Sequence, residues 1–381
     1  MAHHASLLVG GLLAAALSAQ ECRFRDAVFP AVQTVPNLVY GSSDSLIDND
    51  TIPEPRLLDL YQPAGDTMAA RPAFVVVHGG GFVGGSRQHA PIVDLCRRLA
   101  RHGFVAVSID YRLSNDGIET NEADVEAAAH DFQAAVRWLR ANASTLRVDV
   151  DRIAGIGGSA GAATVLASAY NDYSEGDSGN PGFSSRIRIC CDLWGALQNA
   201  TTIEADEPPL FICHGMADET VEVENAYALE QAAIAVGLPY EMHLIPGAGH
   251  GPWPIYQQDY FDDTMAFAWH HLDLVAIAGL AGGGAPVGGA VTLTGFGTAG
   301  NIVALAYGSG PAFAPLPEFG TLLLAPPIVL VGATVLPLTE RLSATTITLA
   351  VPSLPAGTSI PWQTMHIGAT SRLSNAVTTT F

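Results

Sequence analysis

The chain reads as an α/β protein, a mostly parallel sheet with helices on both faces, followed by a small all-β, sandwich-like domain. Three observations predict this. From about residue 35 to 272, short near-continuous apolar runs alternate with helical stretches, the pattern of strands buried on both faces. From about 291 onward, short β-rich runs are punctuated by Gly and Pro with no helical period. The charge divides in the same way. Residues 275–381 hold only Arg341, Arg372, Glu318 and Glu340 and are neutral, so the formal charge of −20 lies wholly in residues 1–274. Two composition regimes in one chain of 381 residues imply two domains of different kinds.

At the N-terminus, Leu7 to Leu17 is an apolar run of signal-peptide length, too short for a membrane span, followed by the small residues Ser18 and Ala19. We expect residues 1–19 to be a signal peptide, although His3 and His4 replace the usual Arg or Lys of its leading segment. Export then leads to a secreted, periplasmic or cell-surface location. The expected division is a catalytic domain over 20–274, a Gly/Ala-rich linker over 275–290 and a β domain over 291–381. The five cysteines (Cys22, Cys96, Cys190, Cys191, Cys213) match no zinc spacing, and their odd number prevents complete pairing within one chain. No particular disulfide is assigned.

Within the first domain, Ala73 to His78 is a strand-like run ending in Gly79-Gly80-Gly81, followed by a helix over 88–102 and a strand from Phe104 to Ile109. Residues 121–141 form the clearest helix. Val125, Phe132, Val136 and Leu139 share a face, acidic residues crowd its start, and Arg137 and Arg140 lie near its end, as the helix dipole favours. Further strands are expected at Arg152 to Ile156, Ile187 to Leu193, Pro209 to His214 and Tyr240 to Ile245. In such sheets ligand chemistry gathers at the carboxyl ends of the strands.

Those ends carry His78-Gly79-Gly80-Gly81-Phe82, Asp110-Tyr111-Arg112, Gly157-Gly158-Ser159-Ala160-Gly161, His214-Gly215-Met216-Ala217-Asp218 and Gly247-Ala248-Gly249-His250-Gly251. Gly157-x-Ser159-x-Gly161 between a strand and a helix fits a nucleophile elbow. A sharp, strained turn needs neighbours without Cβ atoms, and the helix that follows directs amide donors at the developing oxyanion. The order Ser159, Asp218, His250 is the triad order that accompanies this elbow. His214, His78, His270 and His271 compete with His250. His214 precedes the acid on its own strand, where a His-Gly pair serves packing and turn geometry; His78 opens the glycine loop; and His270 and His271 are adjacent on a terminal helix, so they cannot both face one partner. Glu219 and Glu222 compete with Asp218, which holds the strand-end turn; Asp206 and Glu207 lie on a loop before that strand.

With these residues in place, the chain resembles the α/β-hydrolase superfamily, and within it the serine esterases marked by HGGGF, DYRL and GGSAGA. These include hormone-sensitive-lipase-like carboxylesterases and a bacterial feruloyl or acetyl xylan esterase group. The resemblance spans about residues 55–272, including Leu58-Asp59-Leu60-Tyr61 as an early strand and Arg137-Trp138-Leu139-Arg140. It implies Ser159 as nucleophile, His250 as general base, Asp218 as its orienting acid, and the N–H groups of Gly80, Gly81 and Ala160 as the oxyanion hole. It also implies that Asp110 and Arg112 brace the cleft through a buried polar network. Ala162 stands where such relatives carry a second glycine after the elbow. Phe82, Trp194 and Trp253 are the substrate-binding candidates; for the two tryptophans, an aromatic wall and ordinary core packing are equally open. Residues 195–208 are too short for a lid and the N-terminal stretch too short for a helical cap, which predicts an open cleft.

The expected activity is therefore hydrolysis of a carboxylic ester, small or polymer-linked, with neither metal nor organic cofactor. The alternatives are a serine peptidase of the same superfamily and a non-catalytic polymer-binding protein. An acidic chain with no lysine is a poor partner for nucleic acid. In the C-terminal part, Pro326, Pro327 and Pro337 interrupt the apolar stretch Thr321 to Leu338, so it reads as a pair of strands rather than a transmembrane segment. Leu373-Ser374-Asn375-Ala376 resembles the small β modules that end some exported bacterial proteins.

Overall fold

The computed structural model describes residues 22–46, 53–114, 121–278, 280–282, 290–298, 300–316, 320–337, 341–350, 356–368 and 371–380. The expected signal peptide lies outside them. The chain divides into two compact units. One is Asp26–Leu272; the other takes the chain up to Arg25 together with Asp273 onward.

The first unit is built on an eight-stranded sheet. Strands β1 (Val32–Asp44) and β2 (Pro53–Pro63) form an antiparallel flap at one side, with β2 antiparallel to β4 as well. Then come β3 (Arg71–Val77), helix α1 (Ala90–His102) and β4 (Val105–Ile109). Every residue of β3 and β4 is buried, as a strand covered by helices on both faces must be. Pro91 stands in the first turn of α1, where a missing N–H costs nothing, and Gly103 ends that helix in the left-handed conformation.

Helix α2 (Glu122–Ala141) has Asn121 as its cap. The Asn121 side chain accepts from the N–H groups of Ala123 and Asp124 while Asp124 reaches back to the cap N–H. After the single turn α3 (Ala143–Leu146) come β5 (Val148–Gly158), α4 (Ala160–Tyr170), β6 (Ile189–Leu193) and β7 (Leu210–Gly215). The unit closes with α5 (Glu224–Val236), β8 (Tyr240–Ile245), the turn α6 (Trp253–Ile255) and α7 (Phe261–His271). The sheet order is β1-β2-β4-β3-β5-β6-β7-β8, parallel from β4 to β8. Every loop that carries a candidate residue therefore leaves the same edge of the sheet.

The second unit is all-β beyond one helical turn, α8 (Val275–Ala278). Strand β9 (Leu280–Gly282) pairs with β10 (Ala290–Thr298), and β10 with β15 (Leu342–Ala350). A four-stranded sheet joins β14 (Val329–Val335), β11 (Ile302–Tyr307), β16 (Ser359–Ile367) and β17 (Arg372–Thr380). A hairpin joins β12 (Pro311–Leu316) and β13 (Gly320–Leu324). Val291, Leu293, Leu305, Ile347 and Trp362 form its core.

Two boundaries differ from expectation. The stretch 275–290 begins with α8 and β9 rather than a plain linker, although residues 283–289 fall outside the described ones. Residues 22–25 belong to the β unit, not the catalytic one. The Phe24 side chain is fully buried, the Cys22 thiol lies 3.4 Å from the Ala278 carbonyl, and the Arg25 guanidinium covers Phe296 at 5.2 Å. The apolar stretch 321–338 holds two strands, but β13 pairs with β12 and β14 with β11. Among the described residues no helix is long and apolar enough to cross a membrane.

Candidate active site

Ser159 stands between β5 and α4 with φ 57° and ψ −126°, a conformation that side chains other than glycine's rarely adopt. The chain can hold it there because its neighbours lack side chains. A Cβ on Gly157 would lie 2.3 Å from the Gly161 carbonyl carbon, and one on Gly161 would lie 2.3 Å from the Val77 oxygen. The Ser159 N–H donates to the Leu193 carbonyl (3.0 Å), which pins the turn to β6.

Three strand-end loops then converge. His250, in the loop after β8, places Nε2 2.8 Å from the Ser159 hydroxyl and Nδ1 2.8 Å from Asp218 Oδ2. With Nδ1–H donating to the carboxylate, Nε2 is left to accept the serine proton. Asp218 is buried, and its other oxygen accepts from the N–H groups of Thr220 (2.9 Å) and Val221 (3.0 Å). Burial pushes the Asp218 carboxyl up. The hydrogen bonds from His250, Val221 and Thr220 outweigh this and hold it below the usual carboxylate range.

The glycine loop after β3 lies directly against the nucleophile, since a Cβ on Gly79 would be 3.1 Å from the Ser159 Cβ. Gly80 (φ 128°) and Gly81 (φ 62°) turn it back on itself, with the N–H groups of Val83 and Gly84 donating to the Gly80 carbonyl. At Gly80 only glycine fits, because a Cβ would meet the Gly84 oxygen at 2.1 Å. Gly80 and Gly81 line the cleft beside Ser159, and Ala160 opens α4, so its N–H is among the first-turn donors that have no acceptor within the helix.

The cleft has a volume of about 650 Å³ and is also lined by Trp194 and Trp253. Trp194 is 1% exposed with φ 47°, and the two indoles meet edge to face at 4.9 Å. Gly158 admits them, because a Cβ there would lie 2.7 Å from the Trp253 ring and 3.2 Å from Trp194 Nε1. Both aromatic readings hold for Trp194: it is core and it lines the cleft. Phe82 corrects the expectation. Its φ of 63° turns the ring inward, where it is 5% exposed and packs edge-on against Tyr111 at 5.9 Å, away from the cleft-lining residues.

The remaining candidates fall into supporting places. His78 stacks on Tyr111 at 4.5 Å, with Nδ1 2.8 Å from the Gly79 carbonyl, and burial lowers its proton affinity. Asp110 accepts from the Arg87 backbone N–H at 2.6 Å and pairs with the Arg87 guanidinium, which also reaches Asp59 (2.9 Å) and Asn37. Arg112 belongs to a separate network with Asp131 (3.2 Å) and Ser178 (3.1 Å). His270 and His271 touch each other on α7, and Glu219 and Glu222 are not buried. Sequence reasoning missed Arg87 and Asp59, which brace the glycine loop, and missed Gln88, His89 and Thr220 on the cleft wall. Within Arg87-Gln88-His89, only the nearness to the HGGGF run hinted at this. Residues 195–208 hold one short 3-10 turn, Ala200–Thr202.

A possible metal-ligating set lies elsewhere. Glu241, His243 and Asp263 bring ligand atoms within 4.8 Å of one another. His243 offers Nε2 to Glu241 at 2.5 Å and Nδ1 to Asp263 at 3.5 Å, the arrangement of an ion-paired imidazole rather than of ligands converging on one point.

Comparison with known proteins gives a consistent picture. Residues 58–198 match the BD-FAE family and residues 192–275 the prolyl oligopeptidase family. An ethyl acetate hydrolase of Pseudomonas putida is 32% identical over 160 residues, covering 40% of this chain and 46% of the relative. Esterase LipC of Mycobacterium tuberculosis is 26% identical over 235 residues, covering 51% and 57%. The chain thus spans about half the length of the curated relatives it matches. Among solved structures, a propionate-bound thermophilic esterase of Thermogutta terrifontis superposes with a TM-score of 0.52 at 25% identity, over 65% of this chain and 96% of that one.

Proposed function

Because the chain is an α/β-hydrolase of the serine esterase type, we propose that it is exported and hydrolyses short-acyl carboxylic esters, including esters carried on a polymer. One observation carries the reading: a single imidazole is hydrogen-bonded to the Ser159 hydroxyl on one side and to a buried carboxylate on the other. His250 Nε2 takes the Ser159 proton while Oγ attacks the ester carbonyl carbon. The N–H groups of Gly80, Gly81 and Ala160 stabilise the oxyanion that forms. As it collapses, His250 returns the proton to the leaving alcohol oxygen and the acyl group remains on Ser159. Water, deprotonated by the same nitrogen, then attacks the acyl-enzyme; the carboxylic acid departs and Ser159 recovers its proton.

The short-acyl preference rests on Trp194 and Trp253, which stand beside the nucleophile and leave little depth for a long chain. The ethyl acetate hydrolase and the propionate-bound esterase among the relatives support it. The polymer-linked substrate rests on the absence of a lid-length insertion at 195–208 and on the matched BD-FAE family; export rests on the Leu7 to Leu17 run. Nitrophenyl esters from acetate to decanoate, compared with feruloyl and acetylated-xylan substrates, test the specificity. Activity should peak at acetate to butyrate, and Ser159→Ala should abolish it. Full activity in Ser159→Ala would end this mechanism. The match of residues 192–275 to the prolyl oligopeptidase family favours peptide hydrolysis as a second reading, and an aminoacyl-amide substrate separates the two. Export is checked by the mature N-terminus, expected at Gln20.

A further inference from the structure

Behind the triad lies a second acid–histidine pair that the mechanism above does not use. In the β6–β7 register Asp192 is opposite Ile212, and strand side chains alternate, so Asp192, Ile212 and His214 share one face of the sheet. Both Asp192 and His214 are completely buried. Asp192 Oδ1 accepts from the Gly195 N–H at 2.9 Å, but Oδ2 has no hydrogen-bond partner. His214 Nε2 lies 2.8 Å from the Val221 carbonyl, which can only accept, so this nitrogen carries a proton. The same nitrogen is 3.5 Å from Asp218 Oδ2, while Nδ1 has no partner.

A neutral His214 would leave two bare acceptors in a dry interior, the Nδ1 lone pair and Asp192 Oδ2, one residue apart on neighbouring strands. One proton shared by the pair relieves both. The nearby groups do not compete for that role. Burial pushes the thiols of Cys190, Cys191 and Cys213 up, so they stay uncharged, and His250 lies on the far side of Asp218. Burial also pushes the Asp192 carboxyl up, and the charge of His214 opposes it.

We propose that His214 is held as an imidazolium between Asp192 and Asp218, a positioning residue that grips the acid of the triad from behind and weakens proton binding by His250 in front. The turn 218–221 is then clasped twice: Val221 N–H holds Asp218, and Val221 carbonyl holds His214. The cation beside Asp218 offsets part of the negative charge that His250 feels, so His250 stays neutral to lower pH.

This inference rests on the Ser159–His250–Asp218 reading, and the experiment separates the two. Nitrogen-15 NMR of histidine-labelled full-length protein, without substrate, should show one ring doubly protonated at pH 7 to 8. Its signals should be absent from His214→Gln and should convert to a neutral tautomer in Asp192→Asn. In nitrophenyl acetate hydrolysis, the acid limb of kcat/KM should move to higher pH by about half a unit or more in both variants, because the nearer positive charge is gone. A residue that merely packs would lower activity and leave that limb in place. A neutral His214 in the unmodified protein, or an unmoved acid limb in a natively folded variant, overturns the proposal. Should His214→Gln fail to fold, the near-isosteric Asp192→Asn supplies both readouts. A protein inactive on every ester would defeat the triad reading and leave the NMR result standing.

Discussion

Around Ser159 the glycines divide into those that meet backbone and those that meet side chains, and the two kinds predict different failures. Gly157 and Gly161 face main-chain atoms at 2.3 Å, which cannot move without parting β3, β5 and α4. Gly157→Ala and Gly161→Ala should therefore lose soluble protein, measured as yield and circular dichroism. Gly158 instead faces Trp253 at 2.7 Å, a side chain at the cleft wall that can swing away. Gly158→Ala should fold and hydrolyse esters roughly tenfold to a hundredfold more slowly, because a displacement of about 1 Å beside the nucleophile is costly. Wild-type kcat/KM in that variant would show that Trp253 does not position substrate. The depressed Asp218 carboxyl belongs to this scale too: four hydrogen-bonding groups around one carboxylate do what its place in the sequence could not reveal.

Helix ends and strand pairs set the next level. The Asn121–Asp124 box is a sequence signal that the structure repeats, and Asn121→Ala should cost about 1 kcal/mol of stability by urea unfolding. At the other end of the domain, His271 on α7 packs on Phe267 at 4.4 Å, and burial, helped by the neighbouring His270, lowers its pKa to about 4. An unfolded histidine titrates near 6.5, so as pH falls the unfolded chain gains the proton first. Stability is full above about pH 6.5 and declines until the pH reaches the folded value near 4. The decline from this one group is at most about 1.4 kcal/mol per pH unit. His78 and His102, also lowered by burial, add with the same sign. His271→Gln should flatten the dependence of unfolding free energy on pH between 6.5 and 4; an unchanged slope would mean that His271 is already protonated in the folded state.

At the scale of the whole chain, the boundary at Leu272 has a mechanical reason on its catalytic side. Arg152 and Arg188 donate to the Leu272 and His271 carbonyls at 2.7 and 3.1 Å, so the domain ends on its own hydrogen bonds. A chain of residues 26–272 should hydrolyse nitrophenyl acetate with kcat/KM within a few-fold of the full chain; loss of activity would make the β unit part of the enzyme. The formal charge of −20 also acts at this scale. Since it lies entirely in residues 1–274, anionic esters should turn over more slowly than neutral ones of equal size, with the gap closing as salt rises.

The sequence by itself determined the alternation of strands and helices, the strand ends that carry chemistry, and the triad order, because those features follow from local patterns: apolar runs, glycines at turns, and one nucleophile between strand and helix. It did not find β1, β12, β16 or β17, whose half-polar strands lack a continuous apolar run. It assigned residues 22–25 to the wrong unit, since burial of Phe24 depends on a partner far along the chain. Tertiary structure alone decided that Phe82 turns inward and Trp194 lines the cleft, because a positive φ at each aims the side chain where residue type cannot. It alone also set His214 and Asp192 behind Asp218, from strands 22 residues apart in sequence yet adjacent in the sheet. The parallel register brought them together, and register is a property of the packed sheet rather than of either strand.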